Sequence, residues 1–443
     1  MRFGLRFFVL ASLLVAAPGA SQEPWTVERV LSLETVFGPQ LGDDFVVFSK
    51  AVPRPIADGP GGARIHVAVI DGLESALSGA AEPRWLIAGE DSASGVAVRP
   101  GSRTITSLET VEGKRLVHAR SIEGGDPTLL ADTVSVGSYA WRPDGKAFAF
   151  TSTDEMPDAR KAAQDAGIKP VIVDEDWRHR SLWIWEEGVG ARKLTEGTSV
   201  FEFHWSPDGT KLACACAPRN LVDDSYMFKR LHVVDVATGA RELLVDNPGK
   251  LGGFDWSADG AHIAYVSAAD PNDPHAGMLY SVDVDSGEVN ALTRGLLGMV
   301  QSVRRMDDGF LLLESVGVRT RLRHVSVEGL DRWIFDPKSA RIAIDDVVVG
   351  PSVLAFTAES RRHPAELFVM ASGGKDFQRV TDTNPWLADA TFGEQSVVRF
   401  RARDRLPIEG VLIKPIGYEE GKRYPLVIVV HGGPEAHNVD GWL

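Results

Sequence analysis

Trp205-Ser-Pro-Asp-Gly-Thr-Lys-Leu-Ala-Cys214 packs an apolar residue, a tight turn and an alternating strand into ten residues. Each turn position has a reason. Ser206 suits the first position of a type I turn, Pro207 pre-sets φ at the second, Asp208 tolerates the third, and Gly209 allows positive φ at the fourth. The segment therefore reads as a β-hairpin.

The pattern recurs. Trp141-Arg-Pro-Asp-Gly145 leads into Lys-Ala-Phe-Ala-Phe, and Trp256-Ser-Ala-Asp-Gly260 leads into Ala-His-Ile-Ala-Tyr. Weaker copies lie at Leu41 to Phe45, Ala97 to Gly101, Arg304 to Gly309 and Asp345 to Gly350, making seven. A second element alternates with them: Leu231 to Gly239, Leu279 to Gly287 and Leu367 to Gly373 each give a strand and a Gly turn, the first two followed by short strands at Arg241 to Val245 and Val289 to Thr293. Two hairpins make a four-stranded unit, and units of about 40–50 residues are the blades of a β-propeller. Residues 22–392 number 371 and divide into seven blades of 53, the best fit, with eight blades as the alternative. The stretch 153–181 is polar and reads as an insertion between strands.

The pattern changes near residue 394. Val397 to Arg403 alternates, Asp404 to Pro407 turns, and Ile408 to Pro415 returns. After a polar loop, Tyr424-Pro-Leu-Val-Ile-Val-Val430 is an unbroken apolar run, which suits a strand buried on both faces of an α/β sheet. The fold class is thus mainly β: a propeller, then the first strands of an α/β domain, which the turn and the resemblance described below make an α/β-hydrolase domain. The expected divisions are a leader at 1–21, the propeller at 22–392 and the start of that second domain at 393–443.

The leader is read from Arg2 and Arg6, the apolar run Phe7 to Ala17, and the small residues Ala20 and Ser21 after Pro18-Gly19. This is the layout of a secretory signal peptide, too short to span a membrane. It predicts a secreted or periplasmic protein with no stable membrane insertion after signal removal. The net charge of −14 argues against a nucleic-acid partner. Cys214 and Cys216 would share one strand face, near the upper limit of separation for a disulfide, and read as two small buried residues.

His431-Gly-Gly-Pro434 directly follows the last apolar run. In α/β-hydrolases a Gly-rich turn after an early strand supplies one backbone N–H of the oxyanion hole, where acyl transfer builds negative charge. Glycine lets substrate approach the backbone closely. Gly433 is the first candidate donor and Gly432 the second, with His431 shaping the turn.

Together, the Trp-x-Pro-Asp-Gly repeats, the Asp404…Ile408-Glu-Gly…Lys414-Pro strand pair and Tyr424-Pro…His431-Gly-Gly-Pro434 resemble the prolyl oligopeptidase family of serine peptidases, closest to its acylaminoacyl-peptidase and dipeptidyl-peptidase branch. The resemblance covers the chain after the leader. It implies a propeller capping a hydrolase domain, short peptides as substrates, no cofactor and no metal, and a Ser-Asp-His triad between the two domains.

No G-x-S-x-G occurs among the 443 residues; Ser199 and Ser352 both fail the pattern. The expectation is therefore a chain truncated before its nucleophile, acid and base, inactive alone, with residues 394–443 loose beside a folded propeller. Glu175 and Asp176, beside Trp177, are the local candidates for holding a substrate amine, set against a solvated acidic loop. Asp283 to Gly287 lacks the ligands of a calcium loop, and His431 with His437 lacks a third metal ligand. The alternative function is a non-catalytic periplasmic propeller that binds a protein partner.

Overall fold

A computed structural model describes residues 25–443 except 56–61, 171, 173, 273–276, 294, 295, 297, 338–340, 434 and 435. The expected leader lies outside the described residues. The chain forms seven four-stranded antiparallel sheets in strict sequence order, plus one two-stranded hairpin. Blade 1 runs from Thr35–Leu41 to Arg84–Ile87, and blade 7 from Ile342–Val349 to Phe377–Arg379. Seven, not eight, is the blade number. All seven repeated turns fall between the first and second strands of a blade.

The turn chemistry is visible in blade 4. Gly209 sits at φ 71° and donates its N–H to the Ser206 carbonyl at 2.9 Å. The Ser206 hydroxyl donates to Asp208 at 2.6 Å and accepts from Lys211 N at 2.9 Å. A Cβ on Gly209 would lie 2.8 Å from Arg142 Cγ in the preceding blade's turn, so glycine also lets adjacent blades nest.

Period-2 alternation explains the ring. Successive side chains on a strand point to opposite faces, so each middle strand serves two neighbours. Phe148 and Phe150 pack toward blade 2, while Ala147 and Ala149 pack toward blade 4. Leu212, Cys214 and Cys216 face blade 3, while Ala213 and Ala215 face blade 5. The two cysteines are free and buried, as expected. One apolar cluster fills each of the seven blade-to-blade boundaries.

Three repeat tryptophans also bond across these boundaries. Trp205 Nε1 donates to Ala140 O at 2.9 Å, Trp256 Nε1 to His204 O at 3.0 Å, and Trp141 Nε1 to Thr106 Oγ1 at 2.9 Å. Trp256 is 1% exposed. Trp256→Phe should lose about 1 kcal/mol for the hydrogen bond. Trp256→Ala should lose about 3–5 kcal/mol, because a cavity is added. Urea unfolding of both variants checks the ranking.

The ring closes without a shared strand. Blade 1 residues Val36, Val46, Phe48 and Ile70 pack with blade 7 residues Val353, Ala355, Leu367 and Val369. Asn384 adds two backbone contacts, donating to Glu34 O at 2.8 Å and accepting from Glu34 N at 3.0 Å.

Antiparallel order puts the connections between strands 2 and 3, and those between blades, on one face of the ring. The chain also leaves blade 7 on that exit face. The insertion after Ala147–Thr153 lies there too, carrying a short helix at Asp158–Asp165. So does the helix Val222–Met227 of blade 4. No helix among the described residues is long and apolar enough to cross a membrane.

Candidate functional site

The segment after the propeller is held at both its ends. Gln395–Arg401 pairs with Pro407–Ile413 as a hairpin. Glu409 in the second strand accepts Val318 N at 3.1 Å, in the blade 6 turn between strands 2 and 3. Gly317 sits at φ 60°, which favours glycine, and a Cβ there would push the same carboxylate aside.

Near the far end, Asp440 N donates to Val318 O at 2.7 Å. Asp440 also receives Arg361 of blade 7 in a two-pronged ion pair, one arm at 2.7 Å, and Gln395 Nε2 at 3.0 Å. Burial raises the Asp440 carboxyl while its bonds to Arg361 and Gln395 lower it, and the net direction is down.

An aromatic knot completes the anchor. Trp25 lies edge-on to Trp386 at 5.7 Å and to Phe392 at 5.5 Å, and Trp442 meets Phe392 at 5.8 Å. Trp25 Nε1 donates to Thr391 O at 2.9 Å. The segment is thus not loose over its whole length: the hairpin and residues 440–442 are tied down by charge pairs and ring contacts that strand-pattern reading does not reveal.

The apolar run differs from its reading as a buried strand. Tyr424 to Val430 makes no strand pairing, and Leu426 to Val430 are 72–83% exposed. The physical reason is that no strand among the described residues lies beside it, so the hydrophobic pattern has no sheet to enter. Of the expected hydrolase strands, only the hairpin forms.

His431, Gly432 and Gly433 follow this run and are exposed; Pro434 lies outside the described residues. Gly433 has φ 130°, in the region that L side chains rarely adopt. A Cβ on Gly432 would meet nothing within 4 Å. Among the described residues neither glycine N–H is bonded to a carbonyl. His431 Nδ1 lies 3.2 Å from Gly432 O, a contact that steadies the turn. His437 feels His431 as a second, like-charged neighbour after burial, and both effects push its imidazole down. Among the described residues no group of three or more His, Cys, Asp or Glu is arranged to hold a metal.

The two acids of the insertion do not converge. Asp176 is paired with Arg160 of the same insertion and accepts Ile172 N at 3.3 Å. Glu175 is exposed, and its carboxylate meets no cation among the described residues. Asp283 caps its own hairpin turn, accepting from Ser286 N at 2.7 Å.

Sequence reading missed Glu359. It accepts Trp442 N at 3.0 Å; burial pushes its carboxyl up to about 7, the Trp442 N–H bond opposes that rise, and Asp345 adds to it.

No family model matches the chain. The uncharacterized peptidase YuxL of Bacillus subtilis is 21% identical over 390 residues, covering 80% of this chain and 57% of that protein. The Pyrococcus horikoshii acylaminoacyl peptidase superposes with a TM-score of 0.71 at 15% identity, covering 95% of this chain and 63% of that one. The β-propeller domain of the Trilobed protease from Pyrococcus furiosus, described as having an open velcro topology, gives a TM-score of 0.55 at 13% identity over 80% of this chain and 97% of that one. The resemblance to the prolyl oligopeptidase family therefore extends to the fold, and the chain spans less than two thirds of the length of YuxL and of the acylaminoacyl peptidase.

Proposed function

We propose that this chain is the propeller and opening segment of an exported serine peptidase that cleaves short peptides through an acyl-enzyme. In this reading the propeller restricts access and a hydrolase domain does the chemistry. The observation that carries it is the turn at 431–433. Two consecutive glycine amides stand without an intramolecular acceptor among the described residues, one of them at a φ that only glycine holds easily. An amide in that condition is ready to receive a developing oxyanion. The anchor at Val318, Arg361 and Asp440 sets the turn's segment on the exit face.

No G-x-S-x-G occurs in these 443 residues, and in this reading the nucleophile, acid and base are supplied by the hydrolase domain. Glu175, on the exit-face insertion, is the freer of the two acids to meet a substrate amine. The missing nucleophile supports a second reading, a periplasmic propeller that binds a protein partner and catalyses nothing.

A fluorophosphonate probe separates the two. It is expected to leave the 443-residue chain unlabelled and to modify one serine in a longer chain that continues into a nucleophile elbow. A specific label on any serine within residues 1–443 contradicts the proposed division of labour. A longer chain with an elbow that stays unlabelled favours the binding propeller.

A further inference from the structure

Among the described residues, two arginines on the exit face have no counter-charge. Arg115 is the second residue of the third strand of blade 2, Lys114–Ser121, and Arg180 opens the third strand of blade 3. Both side chains turn toward the start of the inner strands. Arg115 donates to Gly137 O and Ser94 Oγ, each at 3.2 Å. Arg180 donates to Ser138 Oγ at 3.1 Å. Its Nε lies 3.8 Å from where a Cβ on Gly137 would stand, beside the carbonyl that Arg115 contacts. Every acceptor here is neutral, and no carboxylate forms an ion pair with either guanidinium among the described residues.

The two cations also act on each other. Burial, then repulsion from Arg115, hold Arg180 below the ordinary guanidinium range. A third cation stands on the same face. Lys229, at the end of the blade 4 connection, is half-buried; desolvation lowers it, and the Glu202 carboxylate offsets part of that. These cations gather in a chain whose net charge is −14, so a general excess of basic residues does not explain them. A half-buried charge left unpaired is costly, and each guanidinium has five donors of which the contacts above use two at most. Open donors in a fork geometry match a carboxylate.

We propose that Arg115 and Arg180 form a carboxylate clamp at the mouth of the propeller, which holds a peptide ligand by its C-terminal carboxylate or an acidic side chain. The clamp rests on the peptidase reading only for the ligand being a peptide. It would fix one end of the ligand on blades 2 and 3, on the same face as the 431–433 turn.

The test is calorimetric titration of the full 443-residue chain with three peptides: acetyl-Ala-Ala-Phe with a free carboxylate, the same peptide as its amide, and acetyl-Ala-Glu-Phe-amide. At least one carboxylate-bearing peptide should bind about tenfold or more tightly than the plain amide. Which of the two does so identifies the source of the carboxylate. Arg115→Gln and Arg180→Gln should each remove that difference, whereas Arg180→Lys should keep part of it. Equal binding of all three peptides overturns the clamp even if a variant fails to fold. So does an unchanged preference in both glutamine variants, or no binding of any peptide up to about 10 mM. None of these readings uses turnover, so the clamp can fail while fluorophosphonate labelling still supports the peptidase, and the reverse.

Discussion

Replacing Glu366 by alanine is expected to cost the propeller about 3–5 kcal/mol, a large share of the roughly 5–15 kcal/mol that folded proteins typically hold. Glu366 is fully buried in the third strand of blade 7. Its carboxylate accepts from Thr381 Oγ1 at 2.5 Å, Thr383 N at 2.9 Å, Thr383 Oγ1 at 3.0 Å and Arg379 at 3.2 Å. Alanine would strand the two threonine hydroxyls and the Thr383 N–H, while Arg379 would keep Asp382 at 2.7 Å. The backbone N–H is the hardest to satisfy otherwise, because it cannot turn to water as a hydroxyl can.

The position multiplies the cost. Residues 381–384 lead to Asn384, whose side chain brackets Glu34 just before blade 1. With no strand shared between the first and last blades, this bracket and the apolar cluster behind it are what close the ring. Loosening 381–384 should therefore open the blade 1–blade 7 boundary before any other. Glu366→Gln keeps one carbonyl acceptor and should cost less. Thermal and urea unfolding measure the ranking, and hydrogen exchange should show blade 1 and blade 7 amides losing protection first. An alanine variant within about 1 kcal/mol of the parent would mean the network is replaceable by water.

The propeller was legible because its cause is local and repeated. Each Trp-x-x-Asp-Gly turn states its geometry in its own residues, and seven copies made seven blades the best fit, with the sheets then deciding against eight. The continuous apolar middle strands also follow from local pattern, since both faces meet a neighbour. What stayed hidden depends on residues far apart in sequence. Arg361 and Asp440, or Trp25 and Trp442, carry no spacing signal, and only the closed ring brings them together. The same holds for Arg115 and Arg180, which look like ordinary surface charges until their lack of a counter-charge among the described residues is seen. The run at 424–430 misleads for the opposite reason. Its pattern records a sheet environment that these described residues do not contain.

The glycine turn yields the sharpest functional expectation. In a catalytically complete form of the protein, one that adds serine, acid and histidine, Gly433→Ala should lower kcat about 100–1,000-fold with KM little changed, the effect of losing one oxyanion donor. Gly433 sits at φ 130°, so a Cβ there forces the backbone to rotate and swings its N–H away from the position it was set to serve. Gly432 provides the internal control. It has no positive φ, and a Cβ would meet nothing within 4 Å, so Gly432→Ala leaves the backbone path intact. If Gly433 is the donor, the two alanines should differ by at least about tenfold in kcat. A KM effect without a kcat effect would instead make the turn a substrate-binding loop, because ground-state contacts alone are then being lost. Equal, small effects at both positions would leave the amides of 432 and 433 without a part in stabilising the oxyanion, and the peptidase reading would lose the observation that carries it.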